Sequence, residues 1–264
     1  MTNKQDIVSL LKELGLNSGD SIMIHMSLKK LGQITDVDID NKDTYCQSLY
    51  ECFDNVININ DKGTLVVPTF THDYVRVKKS FILEETKSEV GIFSEYVRTL
   101  DGTLRTLHPI NSVSIRGNYK DVFSDISTSG YGLNSFFDIF SKLNNSKIVY
   151  FGAGIDHSTY VHHIEHMIGV SYVYNKAYFE PEVIVNNKKI EKPFFNSVRY
   201  LEKGIEADYS NLQKVLIEKK LINIGYIGDF KVMVVEVKDL INEIYRLLLD
   251  NQCSLLKKKY YVTK

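Results

Sequence analysis

The sequence carries almost no surplus of charge. Its 32 lysines and arginines face 33 aspartates and glutamates, a formal net charge of −1 over 264 residues. So weak a field draws in neither nucleic acid nor an anionic membrane, and neither is expected as a partner. Cysteine is scarce as well. Cys46, Cys52 and Cys253 are odd in number and lack metal-ligand spacing, which excludes a disulfide scaffold and suits a reducing cytoplasm. No run of about eighteen apolar residues is there to span a bilayer. The polar start Met1-Thr2-Asn3-Lys4-Gln5-Asp6 leads into no apolar stretch, so a signal peptide is not expected. Internal repeats, low-complexity blocks and linkers are all missing, and a single domain over residues 1–264 is the expectation.

What is there is the material of a globular core: 44 % hydrophobic and 25 % charged residues. Ile7, Leu10, Leu11 and Leu14 repeat at helical spacing and stop at Gly15. Ser21 to His25 and Thr64 to Val67 read as strands, the second closed by Pro68, with an amphipathic helix over Tyr45 to Ile57 between them. Thr69 to Ser88 shows no period and reads as a long surface excursion. Val90 to Leu100 and Phe136 to Leu143 read as helices, Ser112 to Ile115 as a strand and Gly130 to Ser135 as a loop. Further on, Asn186-Asn187 turns a hairpin, Leu212 to Leu221 is helical, and a strand over Lys231 to Val237 runs into a helix over Asp239 to Asp250. The Lys257-Lys258-Lys259 run reads as a solvated tail. Strands and helices mixed along the whole length predict an α/β fold in one domain.

One stretch gathers the chemistry. Ile148 to Phe151 reads as a buried strand ending at Gly152 and Gly154, and Asp156 to Thr159 supplies cap residues for a helix from about Ser158. On that helix His162 and Glu165 lie three apart and share a face. A carboxylate beside an imidazole orients the ring and favours its protonated form, which is how a general base is built. Four of the seven histidines, His157, His162, His163 and His166, fall in this stretch. Spacing alone leaves three readings open. The pair is a catalytic base and its partner, or a solvated surface pair, or part of a zinc site, since His162-x-x-Glu165-His166 is also the pattern of an inverted zinc-peptidase helix.

Several segments taken together resemble the aminoglycoside 3-N-acetyltransferase family. They are Gly19-Asp20, His25-Met26-Ser27-Leu28 with Gly32, and Gly63-Thr64-Leu65-Val66-Val67-Pro68-Thr69-Phe70. Gly91-Ile92, Arg105 and His108-Pro109 up to Ser112-Val113 follow, then Gly152-x-Gly154 and Thr159-x-x-His162-x-x-Glu165-His166. The match spans about residues 5 to 175, with a weaker echo from Gly225 to Ile241. The resemblance implies a mixed β-sheet flanked by helices and transfer of an acyl group from acetyl-CoA, or another acyl-CoA, to a sugar amine, without a metal. It makes His162 the catalytic base and Glu165 its partner. His25, Ser27, Leu28, Arg105, His108, Ser112 and Val113 fall on the CoA-binding side. It also allows a homodimer.

Lys29, Lys30 and Arg105 are the cations to consider for CoA phosphates, though each taken alone is more often a solvated surface charge. His25 and His108 read either as packing or as cofactor contacts. His163 and His166 read as packing or supporting residues, and His72 and His157 have only their loop positions to recommend them. Acceptor-side elaborations are expected at about 69–88 and 175–210. Phe194 to Asp208 mixes Arg199 and Lys203 with Glu202, Glu206 and Asp208, where resistance enzymes of this family carry an acidic cluster for a polycationic antibiotic. That departure favours a nucleotide-linked amino sugar of polysaccharide biosynthesis as acceptor, with an aminoglycoside antibiotic as the alternative. A zinc-dependent hydrolase and a non-catalytic acyl-CoA-binding protein are the readings from other classes.

Overall fold

The computed structural model describes residues 2–258 except Lys30, Asp36 and Ile39, so the readings of Lys30 and Lys259 lie outside the described residues. The first half of the chain forms α1 (Lys4–Glu13), β1 (Ser21–Met26), α2 (Lys42–Ile57), β2 (Thr64–Pro68), α3 (Asp73–Arg76) and β3 (Phe81–Ile82). It continues through α4 (Ile92–Thr99), β4 (Leu104–Arg105), β5 (Val113–Gly117), α5 (Phe136–Ser141) and β6 (Ser146–Phe151). After α6 (Tyr160–Ile168) come β7 (Val173–Tyr178), β8 (Val183–Val185), β9 (Lys188–Lys189) and β10 (Phe194–Arg199). The chain closes with α7 (Ser210–Glu218), β11 (Ile222–Ile227), β12 (Phe230–Glu236) and α8 (Val237–Asp250).

Seven strands form one mixed sheet in the order β11-β12-β6-β1-β2-β5-β4. At its centre β1 runs parallel to both β6 and β2, and the outer strands join antiparallel. The central strands are apolar on both sides because helices cover both faces. Successive residues then enter two different cores. Ile22, Ile24, Leu65, Val67, Val149 and Phe151 meet α1, α2 and α4 on one face. Met23, Val66, Ile148, Tyr150, Met233 and Val235 meet α5, α6, α7 and α8 on the other. This is the α/β fold with a mixed, helix-flanked sheet that the sequence predicts.

Local chemistry sets the element ends. Asn3 and Asp6 form a reciprocal cap at α1, each side chain accepting from the other's backbone N–H at 2.8 and 3.0 Å. Asn186 and Asn187 both hold positive φ, 49° and 60°, as a tight hairpin turn requires. Two expectations need correction. The 69–88 segment does run over the surface but is not without structure: it contains α3 and β3, β3 pairs in parallel with β8, and Phe81 and Tyr74 are buried with Ile110, Val183 and Phe194 in a small third core. The central helix starts at Tyr160 rather than Ser158, because Ile155–His157 turns as a 3₁₀ segment that captures the Ser158 N–H.

The parallel strands β1 and β6 end side by side, and the Ser27 N–H donates to the Phe151 carbonyl at 2.9 Å. Gly152 follows at φ +69°, where a Cβ would lie 2.2 Å from the Ser27 carbonyl oxygen and 2.4 Å from the Phe230 ring. Only glycine lets the chain leave β6 this close to β1, and the cleft described below opens there. Gly152→Ala is expected to destabilise the protein by about 2–4 kcal/mol, combining left-handed backbone strain with overpacking. A drop in the urea midpoint checks it, and an unchanged midpoint would show that the turn can rearrange.

Candidate active site

Helix α6 carries a buried polar network. The Glu165 carboxylate is 1 % exposed and accepts four directed contacts. His162 Nδ1 lies 3.1 Å from Oε2, the Tyr172 hydroxyl donates to Oε1 at 3.0 Å, and Arg199 Nη2 donates to Oε1 and Oε2 at 2.8 and 3.1 Å. Arg199 Nη2 also donates to the Tyr209 hydroxyl at 2.8 Å. Burial on its own would raise the Glu165 carboxyl, but the hydrogen bond and attraction from His162, with those from Arg199, outweigh it and hold the group below its ordinary range. The Tyr172 phenol is pushed up, first by burial and then by Glu165, and keeps its proton to donate. An ionised carboxylate can only accept, so the proton between it and His162 sits on Nδ1. In the neutral ring the free lone pair is then on Nε2.

His162 is about one-third exposed and opens onto a cleft of about 590 Å³ at the C-terminal ends of β1, β2 and β6. A crevice beyond the carboxyl ends of parallel strands is where open α/β sheets bind ligands. His25, Ser27 and Lys29 line it from the end of β1, His72 and His157 from loops, and Tyr131 packs its ring 5.4 Å from that of His162. His25 stacks on Tyr150 and is held neutral, its pKa lowered to about 3 by burial and by nearby His157. The Ser158 hydroxyl is buried in the cleft wall beside the Tyr150 phenol.

Other residues that the resemblance placed on the cofactor side are not brought to this cleft. Arg105 is turned inward: it donates to the carbonyls of Leu83, Thr86 and Thr69 and to Ser112 Oγ, and covers the Phe81 ring at 4.7 Å. Burial, then repulsion from Arg98, lowers the guanidinium to about 10. It staples the 69–88 segment to the sheet. Ser112 and Val113 are fully buried, and Leu28 packs half-buried against the first core. His108 is 2 % exposed; its Nδ1 accepts the N–H groups of Ile110 and Asn111 at 3.2 and 3.0 Å, and its Nε2 lies 3.2 Å from the Phe195 carbonyl. Of the two alternatives weighed for His108, packing describes its place. His163 Nδ1 meets the Tyr131 carbonyl at 2.7 Å, and His166 Nδ1 meets Ser197 Oγ at 2.6 Å.

The pattern that describes aminoglycoside 3-N-acetyltransferases matches residues 23–248. The chain belongs to that family. Its members are CoA-dependent N-acyltransferases, and acetyl-CoA is the co-substrate. Among solved structures, aminoglycoside acetyltransferase AAC(3)-Xa superposes with a TM-score of 0.78 at 17 % identity, covering 93 % of this chain and 92 % of that one. The AAC(3)-IVa apoenzyme gives 0.77 at 17 % identity over 96 % and 91 %. AAC-IIIb with CoASH gives 0.76 at 18 % identity over 94 % and 97 %. At such identity the likeness is one of fold. No curated protein sequence matches the chain significantly.

The family's CoA thioester suits the cleft, whose wall offers Met26, Pro68 and Phe70 to an apolar arm and the partly buried Ser27 and Thr159 to amides. The zinc reading finds no comparable fit. His162 and His166 are tied through Nδ1 to different partners, and no group of three His, Cys, Asp or Glu placed to hold a metal occurs among the described residues. Sequence reading missed Arg199, Tyr172 and Tyr209 as members of the site. Arg199 reaches Glu165 across 34 residues, and its only sequence signal was a lone arginine closing a strand of mixed aromatic and polar residues.

Buried neutral histidines predict acid sensitivity. Burial lowers His25 to about 3 and His108 to about 4, and lowers His163 too, against an ordinary value of 6.5. The unfolded chain therefore binds more protons below pH 6.5, so stability is complete above that pH and is lost as pH falls toward 4. Each such imidazole contributes a slope of about 1.4 kcal/mol per pH unit. The urea midpoint is expected to fall between pH 7.5 and 5.5, and His108→Asn to remove one proton's worth of that slope. An undiminished slope in the variant would mean that His108 protonates within the fold.

Proposed function

We propose that the protein transfers an acetyl or other acyl group from CoA to the amine of an amino sugar, with His162 as general base and Glu165 as its orienting partner. The observation that carries this reading is His162 on the cleft wall with Nδ1 tied to a buried carboxylate. The neutral acceptor amine attacks the thioester carbonyl, forming the C–N bond, while His162 Nε2 takes its proton. The C–S bond then breaks, and CoA leaves as a thiolate that the imidazolium can reprotonate. Glu165 holds the ring in the productive tautomer and stabilises the transient imidazolium, as the acid does in a hydrolase triad. A thiolate is a good leaving group, so positioning supplies much of the remaining acceleration.

For the acceptor we propose a nucleotide-linked amino sugar, used in the cytoplasm for surface-polysaccharide synthesis. The cleft's charge supports this. Among the described residues its lining has two carboxylates. Glu89 is committed to the backbone N–H groups of His72 and Asp73 at 2.9 and 3.0 Å, and Asp156 is exposed beside His157. With Lys29 at the rim, this is a poor counter-surface for a polycation. An aminoglycoside acceptor is the second reading, favoured by the family itself and by the AAC(3)-IVa complexes with a gentamicin and with apramycin.

Thiol release from acetyl-CoA by wild type and His162→Ala tests both levels. The variant is expected to lose on the order of 10²–10⁴-fold in rate with acetyl-CoA binding unchanged. Wild type is expected to turn over nucleotide-linked amino sugars ahead of gentamicin or apramycin. Full activity in His162→Ala would refute the base assignment, and preferential turnover of the antibiotics would replace the acceptor reading.

A further inference from the structure

Glu165 does not meet His162 by its place on α6 alone. Both of its oxygens are also held by a two-stranded ribbon outside the main sheet, in which β7 and β10 pair antiparallel from Phe194↔Tyr178 to Arg199↔Val173. Tyr172 immediately precedes β7 and Arg199 ends β10, so both strands close on one carboxylate at the same end of the ribbon. The outer stretch of β7, from Tyr174 to Ala177, is exposed, and the ribbon is held mainly through β10, where His166 Nδ1 meets Ser197 Oγ at 2.6 Å, Asn111 donates to Asn196 Oδ1 at 2.7 Å and the Phe195 N–H donates to the Thr128 carbonyl at 2.9 Å. Phe194 is seated in the third core, and Gly130 donates to the Phe195 carbonyl at 2.8 Å.

We infer that Arg199 is a positioning residue for acyl transfer, holding the Glu165 carboxylate in line with His162 Nδ1 so that docking of the β7–β10 ribbon completes the base. This rests on the reading of His162 as that base. The Arg199 side chain is 14 % exposed, and one nitrogen, Nη2, serves both carboxylate oxygens and Tyr209. A carboxylate so deeply buried is stable in its charged form only when paired. Without Arg199, its partners are His162 and Tyr172, and His162 as imidazolium is left as the cation to offset its charge. Paired, its charge is offset by the guanidinium, and what remains for His162 is a fixed acceptor. The groups facing the pair are Arg199 from β10, Tyr172 ahead of β7, Tyr209 ahead of α7 and Tyr131 from the 129–134 loop. Across the cleft stand His25, Asp156 and His157, with Lys29, His72 and Glu89 at the rim.

The test measures kcat, KM for acetyl-CoA and the pH profile of kcat/KM in His162→Ala, Arg199→Lys and Arg199→Met, with thermal midpoints as control. Both Arg199 variants are expected to lose about 10²-fold in kcat through misplacement of the base, with KM for acetyl-CoA little changed. Arg199→Met alone should move the acid limb of kcat/KM to higher pH, because the uncompensated carboxylate stabilises the imidazolium. Arg199→Lys keeps the charge and should keep the limb. Wild-type kcat and pH profile in the Arg199 variants, with His162→Ala inactive, would reduce Arg199 to a structural ion pair while leaving the base in place. Activity in His162→Ala would remove the base and this inference together. Should Arg199→Met not fold, Arg199→Lys decides: a kcat loss at an unchanged midpoint upholds the role, and wild-type kcat overturns it.

Discussion

A single buried carboxylate organises the working end of this protein. Glu165, on one side of α6, must remain ionised beneath the protein surface, and an isolated carboxylate there would shed its charge by taking up a proton. Arg199, Tyr172 and His162 divide its lone pairs among them. Each partner comes from a different part of the chain. Satisfying that one group therefore fixes the ring of His162, the docking of the β7–β10 ribbon and the approach of Tyr209 ahead of α7. Local helix geometry brings His162 near Glu165, but the tertiary network sets which oxygen it meets and in which ionisation state.

The sheet explains why the cleft lies where it does. Three parallel central strands, apolar on both faces, leave no room for function within the sheet, so polar chemistry is displaced to the strand ends. There Gly152 lets β6 turn away against Ser27, and Ile155–His157 brings the chain round to the start of α6. His25 belongs to the same edge, and its stacking on Tyr150 and its burial keep it neutral. Arg105, by contrast, spends its hydrogen-bond donors on the protein itself, joining the 69–88 segment to the sheet. That segment and the hairpin near residue 186 are far apart in sequence, yet β3 and β8 pair directly. The two segments form one structural unit around a small core of their own.

Much of the architecture was legible in the chain. The buried strands β1, β2, β6 and β12 announced themselves as short apolar runs, and the alternation that sends Ile22 and Met23 to opposite cores follows from strand geometry alone. Asn186-Asn187 specified its turn because both residues tolerate positive φ. His162 and Glu165 were visible as a pair because three residues on a helix is contact distance. Less visible were β7 and β10, whose polar, aromatic sequences bury little. The short β3 was also hidden, because it depends on β8 for its pairing.

What the sequence by itself determined is the fold class, the two-faced core and the His162–Glu165 pair, because each arises from a period or spacing within one element. Tertiary structure alone decided that Arg105 and His108 turn inward, that His25 and His162 share a cleft, and that Arg199 neutralises Glu165. The physical reason is the same in each instance. A charged or polar side chain takes whatever partner relieves its burial, and that partner is chosen by three-dimensional proximity, which no local spacing encodes.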